Sequence, residues 1–146
     1  MSRIVAREMV MKYIYGLDIN NNWDEDREKL NSDSVFIRDF LEENEEIDEK
    51  DLIYMNNILM GMSHNLEEID NLIESNSKDW KLSRFSRIDL SILRLSVYEI
   101  LYIEDIPHQV SITEAVRLAK KFGSKNSSKF INGILGGIVR SLGIDS

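Results

Sequence analysis

Residues 87–103 read RIDLSILRLSVYEILYI, and how this stretch is buried decides the fold. Leu90, Leu93, Val97, Ile100 and Leu101 fall on one helical face, and Ile88, Ile92, Leu95 and Ile103 on another. A helix apolar on two faces needs neighbours on both sides, so the spacing predicts a central helix inside a bundle. Downstream, EDIPHQ (104–109) holds the only proline, which ends or kinks that helix. The S-x-x-E spacing of Ser111 and Glu114 has the form of a capping box opening AVRLAKKF (115–122). Gly123 is placed to take the left-handed conformation behind it. Ser124 or Ser127 then caps KFINGILGGIVRSL (129–142), whose core face holds Phe130 or Ile131, Ile134, Leu135, Ile138 and Leu142. Gly133, Gly136 and Gly137 are poor helix formers, best used where another helix approaches closely.

Upstream, NSKDWKLSRFS (76–86) breaks the pattern. Before it, IDEKDLIYMNNILMGMSHNLEEIDNLIES (47–75) is a long helical run that Asp48 can cap, with Leu52, Met55, Leu59, Met62, Leu66, Ile69 and Ile73 in period. VFIRDFLEE (35–43) reads as a short amphipathic helix after a polar connector, DINNNWDEDREKLNSDS (18–34). At the amino end Ser2 caps a helix whose apolar positions run from Ile4 to Leu17, with Arg3, Arg7 and Lys12 on its polar face. No alternating strand pattern appears. The chain therefore reads as all-α, a single domain at 1–146 of about six or seven helices, with helical halves at 1–79 and 80–146.

Composition narrows function. The chain has 146 residues, 42% of them hydrophobic, one proline and no cysteine. No disulfide framework or thiolate metal site is possible, which fits a reducing cytoplasm. The opening MSRIVAREMVMKYIYG carries charges every few residues, unlike a signal peptide, and no window approaches a membrane span of about 18 apolar residues. The net charge of −8 conceals an asymmetry. Residues 1–22 hold three basic and two acidic side chains, 23–79 five and eighteen, and 80–146 ten and six.

Chemistry is scarce. LEENEEIDEKD (41–51) lacks the glycine of a calcium loop, so it reads as a solvated helix end. His64 and His108 lie far apart, without ligand spacing. GILGG follows KFIN inside a helix, not a strand, so it is no dinucleotide fingerprint. Nucleophile elbow, P-loop and catalytic cysteine are all missing, and neither an enzyme activity nor a metal or cofactor is expected. What remains is RLAKKFGSKNSSKFIN (117–132), four lysines and an arginine with two phenylalanines around a turn. One reading is a solvated basic loop. The other is a surface for single-stranded nucleic acid, with lysines on phosphates, aromatic rings stacking unpaired bases and backbone N–H groups of the last helix adding an anion site. Phe130 fits either the core or the stacking role.

Several stretches carry a resemblance: AREMVMKYIYG (6–16), ILRLSVYEIL (92–101), IPHQVSITEAVRLAKKFG (106–123) and SSKFINGIL (127–135). In this order they resemble the NusB (N-utilization substance B) family of bacterial transcription antitermination factors, most strongly over 87–137. The resemblance implies an all-α, non-enzymatic protein of two small helical subdomains. It implies binding of single-stranded boxA RNA in nascent ribosomal RNA leaders, together with the small-subunit ribosomal protein NusE, within the RNA polymerase antitermination complex. By motif match the RNA surface comprises Arg3, Arg7, Lys121, Phe122, Lys125, Asn126, Ser128, Lys129 and Phe130. The protein partner lies against Tyr15 and Asp89. The family's opening helix often follows a denser arginine cluster than Arg3 and Arg7 provide, which implies dependence on the partner. Nothing functional carries over onto residues 20–80. A helical adaptor that binds only proteins is the competing expectation.

Overall fold

A computed structural model describes residues 2–20, 48–78 and 80–144. Among them are five α-helices and one short 3-10 turn: α1 (Arg3–Ile19), α2 (Glu49–Ser75), the turn Leu82–Arg84, α3 (Arg87–Tyr102), α4 (His108–Phe122) and α5 (Ser127–Ser141). The chain is all-α, as its periodicity predicts. The expected helix at 35–43 lies outside the described residues. Contacts group the chain into two compact units, Met1–Asn65 and Leu66–Ser146, so α2 contributes residues to both.

In the first unit Ser2 caps α1 as expected, its Oγ accepting from the Val5 N–H at 3.3 Å. Ala6, Met9, Val10, Met11, Ile14 and Leu17 are buried, as are Tyr54, Met55, Ile58, Leu59 and Met62 of α2. Most of the apolar stripe read from the 3.6-residue period is thus buried, but Ile4 and Val5 at its amino end are 46% and 40% exposed.

In the second unit every residue of α3 from Asp89 to Glu99 is buried. This helix packs against both α4 and α5, which also pack on each other. The two-faced pattern of 87–103 thus has its explanation. Such a helix must bury polar side chains too, and each needs a partner. Arg94 forms a two-bond fork with Asp70 of α2, Nε to Oδ1 at 2.8 Å and an Nη2 nitrogen to Oδ2 at 2.9 Å. Glu99 accepts a 2.8 Å bond from the Ser111 hydroxyl of α4. Ser91 bonds back to the Arg87 carbonyl at 2.7 Å.

Helix boundaries differ from the sequence expectations in four places. The proline does not end α3, which stops at Tyr102; Pro107 is instead the N-cap of α4, its φ of −60° already suited to a helix start. Consequently Ser111 and Glu114 do not form a capping box. Ser111 sits inside α4, buried against Glu99, while Glu114 accepts from the Arg117 guanidinium at 3.0 Å. Gly123 is extended (φ −88°, ψ −174°), not left-handed. A Cβ there would stand 2.6 Å from Ser127 Cβ and 2.7 Å from the Ala119 carbonyl, so glycine serves close approach instead. The left-handed glycine lies after α5: Gly143 has φ +70°, and the Gly143 and Ile144 N–H groups bond to the Arg140 and Val139 carbonyls, the Schellman arrangement. Finally, neither Ser124 nor Ser127 caps α5. Asn126 is its N-cap and makes no side-chain cap bond, while Ser127 Oγ accepts from the Ser124 N–H at 2.9 Å. None of the three glycines in α5 has another helix close to it: Gly137 meets Asn76 just past the end of α2, with Asn76 Oδ1 3.0 Å from its would-be Cβ, Gly136 meets only Arg140 of its own helix, and Gly133 has open space.

The Arg94–Asp70 fork has one measurable consequence. Asp70→Ala strips the carboxylate from a guanidinium whose side chain is 7% exposed. Chemical denaturation should show a loss of about 3 kcal/mol, whereas replacing both residues by apolar ones of similar size should cost much less. A second prediction concerns Tyr102, whose hydroxyl donates to Glu68 Oε2 at 2.8 Å. Burial and the neighbouring carboxylate push its pKa up to about 12. Since the folded value is raised above about 10, the neutral phenol's stabilisation is complete below pH 10 and disappears as pH climbs through 12. In an alkaline absorbance titration, Tyr102→Phe should remove a phenolate transition with a midpoint near 12.

Candidate nucleic-acid interface

The turn between α4 and α5 is built by the packing just described. Helix α4 ends at Phe122, its last turn carrying Lys120 and Lys121. The chain then makes a narrow bend, because Gly123 lets Ser127 pack directly against the end of α4. The hydroxyls of Ser124 and Ser127 stand 3.1 Å apart and hold the bend from inside. Ser127 is buried, so it is a strut and not a surface group. Lys121, Lys125, Asn126 and Lys129 are exposed around the bend, and Phe122, Ser128 and Phe130 are half-buried. Lys121 Nζ lies 5.3 Å from the Phe122 ring centroid, within cation–π range.

Phe130 answers the question left open by its sequence. It is neither a core residue nor free. Its ring packs edge-on against buried Phe85 at 5.1 Å between centroids and tilts against Trp80 at 5.9 Å. The residue is supported by two aromatic neighbours yet only half-buried, as a stacking platform requires. Trp80 is 49% exposed, with the Arg84 guanidinium 6.0 Å from its ring. Sequence periodicity missed Trp80, Arg84 and Phe85, since 76–86 reads only as a break. The available signal was the same interleaving of basic and aromatic residues that singles out 117–132.

In the first unit the geometry is different. Arg3 donates from Nε to Asp51 Oδ1 at 2.8 Å, and its Cζ lies 4.3 Å from the Tyr54 ring centroid. Arg7 does not stand on an exposed polar face. It is 5% exposed, with Cζ 5.7 Å from the same ring. Tyr54 thus gathers both guanidinium groups, because its face is electron-rich and its ring gives apolar cover to arginine stems. Lys12 is exposed and Tyr15 half-buried.

Asp89 occupies the third position of α3, where a carboxylate favours the positive helix end, and its N–H bonds to Ser86 Oγ at 3.0 Å. The residue is 7% exposed, yet its Oδ1 is buried with no hydrogen-bond partner among the described residues. Leaving a buried oxygen unsatisfied carries a cost in stability.

The arrangement offers cations, a supported aromatic ring and small polar groups on one turn, and among the described residues no group of three or more histidines and carboxylates could hold a metal ion. The NusB family matches residues 4–140. The transcription antitermination protein NusB of Clostridium novyi (strain NT) is 41% identical over 142 residues, covering 97% of this chain and all of that one. That of Acetivibrio thermocellus is 44% identical over 96% of this chain and 90% of its own. Among solved structures, T. maritima NusB superposes with a TM-score of 0.79 at 33% identity, covering 96% of this chain and 92% of that one. A chain in the crystal structure of a plectonemic RNA supercoil shares the fold, with a TM-score of 0.80 at 22% identity over the whole of both chains. The chain belongs to the NusB family, whose relatives are transcription antitermination proteins and not enzymes.

Proposed function

We propose that this protein binds the boxA element of nascent ribosomal RNA leaders as a single strand, jointly with the ribosomal protein NusE, and so helps RNA polymerase read through terminators in the cytoplasm. The observation that carries this reading is the α4–α5 turn, where exposed Lys121, Lys125 and Lys129 surround the half-buried rings of Phe122 and Phe130. Lysines neutralise phosphates and carry no sequence information, whereas ring faces and the Asn126 and Ser128 groups act on unpaired bases. The start of α5 adds an uncapped helix end whose N–H groups and dipole favour a phosphate. Arg3 supplies a further cation. Arg7, being buried, acts through Tyr54 and Arg3 and offers phosphate little surface. On the partner side, the reading places NusE against Asp89 at the start of α3, with Tyr15 of α1 as the accompanying contact.

Two outcomes are expected. About five phosphate contacts should give a slope near −3.5 when the logarithm of boxA affinity is plotted against that of salt, measured with and without NusE; a slope near zero refutes the reading. Phe130→Leu, which keeps apolar contact with Phe85 but removes the ring face, should weaken RNA binding several-fold with little change in melting temperature. Phe130→Ala should add a stability loss of about 2 kcal/mol, below the 3–5 kcal/mol of a fully buried phenylalanine.

A further inference from the structure

Beside Phe130 lies a groove of about 310 Å³. It is lined by Asn76, Ser77, Lys78, Lys129, Phe130, Gly133, Ile134 and Arg140. Its volume sits at the lower end of small-ligand sites, about 300–1,000 Å³. Three of the lining side chains are cationic and none is acidic, in a chain whose net charge is −8. Gly133 leaves the floor open, with nothing within 4 Å of a would-be Cβ.

The rim of this groove is rigid by construction. Ser77 is buried, and its hydroxyl lies 2.7 Å from the Glu74 carbonyl and 2.6 Å from that of Trp80. Glu74 Oε2 accepts from the Leu82 N–H at 2.9 Å. These bonds hold Lys78 at φ +49°, the one non-glycine residue with positive φ among the described residues. Lysine gains nothing locally from that conformation, and such outliers persist where the surroundings over-determine them. The bend sets an exposed lysine beside the groove and an exposed indole against Phe130.

We infer that the juxtaposition of Trp80 and Phe130 with Lys78, Lys129 and Arg140 is an additional nucleotide subsite, which takes one unpaired base and its phosphate as the RNA strand continues beyond the α4–α5 turn. This rests on the RNA-binding reading and extends it to a segment onto which the family resemblance carries nothing. Trp80 and Phe130 supply the aromatic surface that a base of any sequence can use, and the three cations meet its phosphates. The strand therefore passes along Phe130, with Lys78, Lys129 and Arg140 lining the same groove.

The test uses the full chain with Trp23→Phe, which leaves Trp80 as the sole indole. A labelled, short single-stranded RNA containing uridine and guanine reports binding by anisotropy while indole fluorescence is followed in parallel. Trp80 emission should be quenched in step with anisotropy. Trp80→Leu should weaken binding roughly fivefold or more, as for loss of one stacked base. Lys78→Gly suits the left-handed backbone, so it keeps the fold, and with Arg140→Gln it should lower the salt slope by about 0.7 per lost phosphate contact. Wild-type affinity and slope in all three variants, with unquenched Trp80, overturns the subsite while leaving RNA binding intact. Absence of any anisotropy change overturns both. Quenching by poly-glutamate but not by RNA assigns the groove to an acidic protein and likewise overturns the proposal.

Discussion

The fork between Arg94 and Asp70 is the constraint on which the second unit turns. A helix surrounded by apolar neighbours gains nearly the same burial at many rotations about its axis, so hydrophobic contact alone leaves its azimuth loose. A buried guanidinium removes that freedom, because only one orientation brings two nitrogens onto two carboxylate oxygens. Glu99 and Ser111 repeat the device a little more than one turn further on and tie α3 to α4. With α3 locked in rotation, the α4 and α5 helices that pack on it inherit fixed positions. The bend joining them then presents its lysines in a defined order. Polar groups that look like liabilities in a core thus define the exposed surface some distance away.

Charge is distributed to the same end. Acidic residues concentrate between 23 and 79, while the last 67 residues, from 80 onward, carry ten basic against six acidic side chains. Several of those six are spoken for locally. Glu99 is buried against Ser111, Glu114 meets Arg117, and Asp89 sits at the positive end of α3. The lysines of the α4–α5 bend, Lys121, Lys125 and Lys129, are exposed to solvent. An acidic isoelectric point near 4.8 coexists with a locally cationic face for this reason.

Periodicity made the helices legible, because most residues at 3.6-residue spacing on α1, α2 and α3 leave water, Ile4 and Val5 at the amino end being exposed exceptions. Helix ends were less legible, because cap signatures are local while their partners are not. Ser111 has the spacing of a capping serine, but a buried Glu99 from another helix claims its hydroxyl, and Pro107 starts α4 four residues earlier. Gly123 matched the usual glycine behind a helix, yet the demand on it is room for Ser127. Among candidate binding residues, the basic and aromatic bend was visible from composition. The burial of Arg7 and the support of Phe130 by Trp80 and Phe85 were not, since each depends on a residue remote in sequence: Tyr54 for one, the 76–86 bend for the other.

The tight contact at Gly123 also bears on how this protein can drift. Every amino acid that a single base change can put in place of glycine carries a Cβ, and here a Cβ has nowhere to go. The neighbouring lysines can exchange with arginine codon by codon while the surface keeps its charge. Gly123 has no such escape: each one-step neighbour forces α4 and α5 apart at the point where the cationic face is assembled. The turn is thus fixed in backbone and free in side chain, and heritable change in what it binds is channelled into the residues around the glycine.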